Sequence, residues 1–292
     1  MRAERQDRAT PVHRVASRPF SWFNIREPGK RIKARTGPDT MTKRRLAIII
    51  AFTALLLLIA AGLFILRWTP YGTPVLAYHA VEDVPFTESE HLFVTPKELE
   101  DQIIWLKRAG YSFAFADDPA AFTKEKQVVI TFDDGYKDNL TEALPILQKH
   151  GACATIFVVT KNVGKNDNFL TEEDVKALKD SGLVHIGSHT DGHYLLTGLS
   201  DEDKEKQLSL SKKRLEEMTG EPVTAMSYPG GYTDDMTRRI ALSHYDLCYT
   251  YPDTNWLVGK NYDPGAVNRI TVSRGTSGLK LILMLKKARP LS

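Results

Sequence analysis

Two adjacent carboxylates and two histidines four residues apart are the residues of this chain best suited to chemistry. Asp133 and Asp134 follow the apolar run 128–132, which is typical of a buried strand, and a glycine comes directly after them. A turn at a strand end can direct both carboxylates toward one site. Downstream lie His189 and His193. One carboxylate and two imidazoles can hold a divalent metal ion with open coordination positions, while the second carboxylate serves as a base.

These residues belong to two motifs, Thr-Phe-Asp-Asp-Gly at 131–135 and His-Thr-Asp-Gly-His at 189–193. In this order and spacing the motifs resemble those of the NodB-type polysaccharide deacetylases, carbohydrate esterase family 4, over residues 71–276. The resemblance implies an α/β fold, a distorted (β/α) barrel of about seven units. It also implies that Asp134, His189 and His193 bind a divalent metal ion. Zinc is expected from the ligand types, with cobalt or nickel as alternatives. Asp133 would then be the general base that takes a proton from the attacking water.

The third motif departs from the family pattern. The usual sequence is Arg-x-Pro-[Phe/Tyr]-Gly, in which the arginine orients the base, but this chain has Ser-Tyr-Pro-Gly-Gly at 227–231. The branch that deacetylates poly-N-acetylglucosamine exopolysaccharide also lacks the arginine, and this chain looks closer to that branch. We expect the backbone N–H of Gly230 to stabilise the oxyanion. Arg269, on a late strand, is the candidate to replace the lost arginine, and an ordinary surface salt bridge is the alternative for it.

The general acid is the second departure, because the family places it on a late histidine and none follows His244. His79, at the end of the first strand, is our candidate, since the exopolysaccharide branch has Tyr-His there. Its near-neutral pKa suits protonation of the leaving amine, and a packed strand-end histidine is the alternative. Aromatic residues of the later strands and loops could contact sugar rings, or merely pack the barrel. Those assigned to substrate binding are Tyr228, Tyr232 and Trp256.

The pattern along the chain predicts how these residues are positioned. Strands and helices alternate repeatedly, which indicates a parallel α/β sheet or barrel. Strands are expected at 74–79, 128–132, 153–159, 183–187, 223–228, 246–250 and 268–272. Helices are expected at 95–110, up to 150, at 171–182, at 200–218 and at 279–287. Capping signals bound these helices, with Thr95 and Thr171 at two starts and Gly151 and Gly220 at two ends.

A run of 21 uncharged residues, 46–66, precedes the predicted barrel. It is long enough to cross about 30 Å of hydrocarbon. Lys43, Arg44 and Arg45 come directly before it, so the positive-inside rule places the N-terminus in the cytoplasm. We therefore expect a single-pass membrane anchor at 46–67, and a cleaved signal peptide is the alternative.

Charge is distributed unevenly along the chain. The first 45 residues carry 13 Lys and Arg against 4 Asp and Glu, and the remainder carries 26 against 32. A basic tail on a mildly acidic domain argues against a nucleic-acid partner. We expect 1–45 to be cytoplasmic and 69–292 to be the extracytoplasmic domain. Because the layout from Met41 onward is that of a complete signal-anchor, residues 1–40 are either a disordered tail or not translated. Cys153 and Cys248 are expected to be separate buried thiols.

Together these features predict a membrane-tethered, metal-dependent N-deacetylase acting outside the cytoplasm. It would release acetate from an N-acetylglucosamine-containing polysaccharide of the cell envelope. Exopolysaccharide, peptidoglycan and chitin oligomers all fit the motifs, and the third motif favours exopolysaccharide. Two alternatives stay open, namely an esterase acting on an O-acetylated, xylan-type glycan and a non-catalytic glycan-binding protein of the cell wall.

Overall fold

The structure, a computed structural model, describes residues 40–67, 72–251 and 256–290. The first helix, α1, covers Thr40–Arg67. Its segment Thr42–Leu63 is long and apolar enough to cross a membrane, a property that it would share with a signal sequence. The predicted anchor at 46–67 lies within this helix. Residues 1–39, on which the prediction of a disordered or untranslated tail falls, lie outside the described residues.

The remaining elements alternate as predicted. The other helices are α2 (Pro96–Arg108), α3 (Leu144–His150), α4 (Glu172–Asp180), α5 (Asp201–Thr219), α6 (Asp235–Leu242) and α7 (Gly278–Lys287). The strands are β1 (Val75–Tyr78), β2 (Ala80–Val81), β3 (Phe93–Val94), β4 (Ser112–Ala114), β5 (Gln127–Phe132), β6 (Ala154–Val158), β7 (Val184–Ser188), β8 (Ala225–Ser227), β9 (Leu247–Thr250), β10 (Trp256–Leu257), β11 (Val267–Asn268), β12 (Ile270–Thr271) and β13 (Arg289–Pro290).

Nine of these strands form one parallel sheet in the order β11–β9–β8–β7–β6–β5–β1–β12, with β4 paired to the start of β5. The last two pieces, β11 and β12, are consecutive in the chain, and they bond to opposite edges of the sheet. β11 pairs with β9, whereas β12 pairs with β1. This last segment therefore brings the sheet nearly to closure as a barrel, and the predicted (β/α) barrel is confirmed.

The barrel strands are buried on both faces, as parallel strands covered by helices must be. In β5 every residue from Val128 to Phe132 is buried, which explains why its sequence is an unbroken apolar run rather than an alternating one. Helix α2 begins with the predicted capping box of Thr95 and Glu98. Its buried stripe includes Leu99, Ile103 and Leu106.

Helix α7 packs closely on α2, and the first residue of α7 makes this possible. A Cβ at Gly278 would lie 2.3 Å from Cδ1 of Trp105 and 2.6 Å from the carbonyl oxygen of Asp101. Any side chain larger than hydrogen would therefore push the two helices apart. The predicted amphipathic helix at 279–287 is confirmed by this packing.

Two expectations about the elements need correction, and one helix was not predicted. The single strand predicted at 268–272 is broken at Arg269, because the chain changes its bonding partner there from β9 to β1. The segment that leads into α3 starts as a π-helical turn, Asn139–Ala143, so α3 itself is short. Helix α6 was not predicted, although Asp234 accepts a hydrogen bond from the backbone N–H of Thr237 as a regular N-cap.

We predict that Thr171→Ala lowers the free energy of unfolding by about 1 kcal/mol. The Thr171 hydroxyl accepts from the backbone N–H of Asp174 at 3.2 Å, and the Asp174 carboxylate accepts from the N–H of Thr171 at 2.8 Å. Denaturant unfolding of the full chain in detergent measures the loss. Thr171→Ser keeps the hydroxyl and is the matched control. An alanine variant as stable as the serine variant would contradict this role of the cap.

Candidate metal centre and base

The ends of the parallel strands bring the predicted site residues to one edge of the barrel. Tyr78 of β1 is in register with Phe132 of β5, and the N–H of Asp133 donates to the carbonyl of Tyr78 at 2.9 Å. The next residue on each strand is His79 or Asp133, so these two lie side by side. His189 directly follows β7 on the same edge. In α/β barrels this carboxyl edge is where chemistry is placed.

Three side chains at this edge could hold a metal ion. Ligand atoms of Asp134, His189 and His193 all lie within 4.8 Å of one another. Oδ1 of Asp134 is 3.6 Å from Nε2 of His189 and 3.4 Å from Nε2 of His193. One carboxylate and two imidazoles that converge on a point suit zinc and neighbouring first-row ions. The donor set predicted for the metal is therefore assembled, and it fits a divalent ion.

The hydrogen bonding of His189 prepares it to be a ligand. Its Nδ1 lies 2.8 Å from the carbonyl oxygen of Ser227, so Nδ1 carries the proton and the lone pair on Nε2 faces Asp134. Burial lowers the pKa of His189, against the opposing charges of Asp133 and Asp134. The imidazole is therefore held in the neutral form that binds metal ions.

The turns that carry the candidate metal ligands hold strained backbone conformations. Asp134, Thr190 and His193 have φ values of 73°, 67° and 56°, in the left-handed region that favours glycine. Each such residue costs about 1–3 kcal/mol, and such strain persists where surrounding contacts enforce it. Their clustering at one site indicates that the positions of these side chains matter more here than local stability.

A buried carboxylate between the two histidines supplies some of those contacts. Asp191 accepts from the hydroxyl of Thr160 at 2.7 Å and lies 3.3 Å from Nζ of Lys161. It also forms an ion pair with Arg214 of α5. The histidine turn is therefore tied to the end of β6 and to helix α5, which offsets part of the cost of its strained backbone.

The proposed base, Asp133, lies inside the barrel and is paired with a buried arginine. Both carboxylate oxygens accept from the guanidinium of Arg269, Oδ1 from Nη1 and Oδ2 from Nη2, each at 2.7 Å. Arg269 is about 1% exposed, so an ordinary surface salt bridge does not describe it. The hydroxyl of Ser227 accepts from Nη2 of Arg269 at 2.6 Å. The small side chain at 227 thus leaves room for a guanidinium that arrives from another strand.

A further partner of the base was not assigned from the sequence. The hydroxyl of Tyr251 donates to Oδ2 of Asp133 at 2.8 Å. The same ring lies 4.3 Å from the guanidinium carbon of Arg269, a cation–π contact. Gly231 permits this approach, because a Cβ there would lie 2.7 Å from the backbone nitrogen of Tyr251. The sequence marked this region only as rich in aromatic residues, and no motif pointed to the hydrogen bond.

Electrostatics keep Asp133 ionised. Burial is the largest single influence and would raise the pKa of its carboxyl, but the surrounding positive groups and hydrogen bonds, with Arg269 foremost, together outweigh burial and hold the pKa well below its ordinary range. The carboxylate is therefore held as a negative group beside the candidate metal ligands.

A third buried carboxylate, Asp138, is linked to the backbone of His79 through Asn139. Nδ2 of Asn139 donates to Oδ1 of Asp138 at 2.8 Å and to the carbonyl of His79 at 3.0 Å. Oδ2 of Asp138 has no hydrogen-bond partner among the described residues. Burial, assisted by the charge of Glu82, raises the pKa of Asp138 to about 7.

The remaining predicted residues fall into three groups. Gly230 lies in the turn Pro229–Gly231 that follows β8, with φ of 66°, on the same edge as the metal ligands. Tyr232 is exposed beside it. The prediction that Tyr228 binds substrate needs correction, because its ring is fully buried and its hydroxyl donates to the carbonyl of Gly265 at 2.9 Å. The side chain of Trp256 lies outside the described residues.

Comparison with known proteins identifies the family. Residues 121–245 match the family model described as polysaccharide deacetylase. The chain is 33% identical over 224 residues to YxkH of Bacillus subtilis, an inferred polysaccharide deacetylase, covering 72% of this chain and 74% of that protein. It is 27% identical to the poly-β-1,6-N-acetyl-D-glucosamine N-deacetylase of Staphylococcus epidermidis, over 64% of this chain and 70% of the relative.

A solved structure agrees with the fold. The Streptococcus pyogenes deacetylase PplD, determined in complex with acetate, superposes with a TM-score of 0.67 at 27% identity, covering 74% of this chain and 99% of that one. The chain belongs to the polysaccharide deacetylase family, a family of hydrolases.

We predict that Arg269→Met destabilises the protein by about 3–5 kcal/mol, because it leaves Asp133 as an unpaired buried charge. At pH values above the ordinary carboxyl pKa, the wild-type ion pair contributes its full stabilisation to the folded state. This stabilisation is lost as the pH falls through the lowered pKa of Asp133. Unfolding of the full chain at pH 7 measures the effect. Lys213→Met, which removes an exposed ion pair with Glu217, is the control and should cost under about 1 kcal/mol. Equal losses in the two variants would contradict the assignment.

We predict that Asp138→Asn stabilises the protein above pH 7 by about 1–3 kcal/mol. With a pKa raised from 3.8 to about 7, folded Asp138 keeps a proton that the unfolded chain releases, so stability falls as pH rises from about 4 to 7. The variant should lose this slope. Unfolding free energies at pH 5 and pH 8, in chelator, check it. Asp180→Asn, at an exposed carboxylate, should keep the wild-type slope, and an unchanged slope in Asp138→Asn would refute the prediction.

Proposed function

We propose that this protein hydrolyses N-acetyl groups of an N-acetylglucosamine-containing polysaccharide of the cell envelope and releases acetate. The observation that carries the proposal is the ionised Asp133 held by Arg269 and Tyr251 next to the convergent Asp134, His189 and His193. A glycan-binding protein would have no use for a buried, oriented base beside a metal-ligating set. Family membership supports deacetylation, and the substrate polymer is the part that we propose.

Each residue of the site has a distinct role in the proposed reaction. Asp134, His189 and His193 would hold the ion, with zinc the first choice and cobalt or nickel the next. The bound ion would supply a Lewis acid that polarises the acetamide carbonyl and favours deprotonation of water. Asp133 takes the proton from the attacking water, and its Oδ2 lies 3.9 Å from Nε2 of His189. Oδ2 accepts hydrogen bonds from Arg269, Tyr251 and Ser227, whereas Oδ1 accepts from Arg269 alone among the described residues.

Two further groups complete the proposed reaction. The backbone N–H of Gly230 is the candidate donor to the oxygen that becomes negative as water attacks. His79 is the candidate general acid that protonates the leaving amine, because its strand position places it next to Asp133 at the same edge. Base and acid then act from neighbouring strand ends, and Arg269 keeps the base oriented.

Poly-β-1,6-N-acetylglucosamine is the polymer that we favour. The Staphylococcus epidermidis relative carries that activity in its name, and the third motif here lacks the arginine, as in that branch. A Bacillus cereus relative named as a peptidoglycan-N-acetylglucosamine deacetylase, 33% identical over 118 residues, makes peptidoglycan the second choice. Both polymers carry the same acetamide group, so the chemistry at the site is common to them.

We also propose that α1 anchors the enzyme in the cell membrane in a single pass, with the barrel on the outer side. The apolar segment of this helix and the basic residues before it support the proposal. Envelope polysaccharides lie outside the cytoplasm, so this orientation would bring the site to its substrate.

The decisive experiment measures acetate release by the full chain in detergent, loaded with zinc, cobalt or nickel. We expect release from poly-β-1,6-N-acetylglucosamine and its oligomers that chelator abolishes. Asp133→Asn should keep its bound metal, which also shows that it is folded, and lose turnover by about 10²–10⁴-fold. Asp134→Asn should lose the metal. Loss of metal in Asp133→Asn instead would mean that the two aspartates have the opposite roles.

Other substrates separate the alternatives. Metal-dependent release from an O-acetylated xylan, with none from N-acetylglucosamine oligomers, would establish the esterase in place of the N-deacetylase. Stoichiometric metal and polymer binding without acetate release from any substrate would leave the non-catalytic glycan-binding protein.

A further inference from the structure

Three large apolar side chains are exposed next to the candidate metal centre. Tyr194, Leu195 and Tyr232 are 51%, 52% and 65% exposed. Tyr194 directly follows the metal-ligating His193, whose side chain is itself 46% exposed. Most large apolar side chains of the barrel domain are buried, so this group at the mouth of the site calls for an explanation.

Leu195 and Tyr232 meet at Gly230, although they come from different loops. A Cβ at Gly230 would lie 2.9 Å from Cδ2 of Leu195 and 3.2 Å from Cδ2 of Tyr232. Gly230 is also the candidate oxyanion donor, so the two side chains flank the point where the reacting group would bind. The missing side chain at 230 leaves them in contact with the backbone of that turn.

The ring of Tyr194 is held in place from the side of the histidine turn. A Cβ at Gly192 would lie 2.5 Å from Cε2 of Tyr194, so the ring rests against the backbone of Gly192. Nζ of Lys161 lies 5.8 Å from the ring centroid and is 3.3 Å from Oδ2 of the buried Asp191. The ring is therefore orientated before any ligand arrives, which lowers the entropic cost of binding on it.

We propose that Tyr194, Leu195 and Tyr232 form a platform that binds the pyranose ring next to the sugar being deacetylated. The inference rests on the proposed function, since only a polymeric substrate has such a neighbouring ring. Tyr194 follows His193 in the chain, and Leu195 and Tyr232 lie at Gly230, so the three side chains border the metal centre on the two sides that a bound polymer would extend over. The apolar C–H face of a sugar ring stacks on tyrosine rings, and the phenol hydroxyls at their edges can bond its hydroxyl groups.

The test compares a substrate that extends over the platform with one that is too small to reach it. The full chain in detergent is assayed on β-1,6-linked N-acetylglucosamine pentamer and on 4-nitrophenyl acetate, which has no neighbouring sugar. In Tyr194→Ala/Tyr232→Ala the ratio of kcat/KM for the pentamer to that for the ester should fall roughly five- to twentyfold. Tyr194→Phe/Tyr232→Phe should keep most of the wild-type ratio, because the ring faces remain. Leu283→Ala, at a similarly exposed apolar residue of α7, should leave the ratio unchanged.

Direct binding separates failure of the platform from failure of the proposed function. Calorimetry with the pentamer and chelator-treated protein should show a Kd weakened by a similar factor in the double alanine variant. Unchanged ratio and unchanged Kd in that variant would overturn the platform, as would equal losses in the phenylalanine and alanine variants. Normal pentamer binding that depends on the tyrosines, without acetate release by the metal-loaded wild type, would support the platform and refute the N-deacetylase. If the alanine variant changed only the sedimentation of the protein, the surface would be an interface between copies of the chain, and the platform would be wrong.

Discussion

The buried ion pair between Asp133 and Arg269 is the interaction on which the rest of the site depends. Two charges inside a barrel have lost their hydration, and only close, bidentate geometry with further hydrogen bonds can offset that loss. The surroundings meet this demand, since Ser227 and Tyr251 bond to the pair and the Tyr251 ring covers the guanidinium. A hydrophobic pair of the same volume would give the folded barrel about the same stability. The ion pair is therefore better explained by the need for an oriented carboxylate than by stability.

The same interaction links the closure of the barrel to the chemistry. Arg269 lies where the last segment changes its bonding partner from β9 to β1. The chain can therefore place the guanidinium inside the barrel only if β11 and β12 both pair with their edge strands. A barrel that opened at this seam would withdraw the arginine and leave the base unpaired. The strained turns at Asp134 and His193 add to this dependence, because local preference alone would not hold them.

The parts that the sequence could predict are those determined by local patterns. The apolar run of β5 and the capping box at Thr95 depend on neighbouring residues, and the convergence of Asp134 with two histidines follows once strands are parallel. The partners of the base depend on contacts across the barrel. Arg269 could be named as a candidate because an expected arginine was absent from the third motif. Its burial, however, could not be predicted from the sequence. Tyr228 shows the converse failure, since its aromatic type suggested a sugar contact while a carbonyl buried beneath the surface holds its hydroxyl.

The move of the arginine from the third motif to the last segment explains several of these features together. With serine at 227, the space beside Asp133 is open to a guanidinium from across the barrel, and the serine hydroxyl becomes one of its partners. Gly231 allows Tyr251, the residue after β9, to approach Asp133, so the carboxylate gains a hydroxyl donor as well. Gly230 carries no aromatic ring, and its place at the mouth is bordered by Leu195 and Tyr232 instead. Asp133 keeps an arginine partner, the turn keeps the backbone N–H of Gly230, and the exposed aromatic ring lies beside the turn at Tyr232. In physical terms the arginine that the third motif lacks is supplied from another strand, and the aromatic ring that it lacks is supplied by Tyr232, the residue that directly follows the motif.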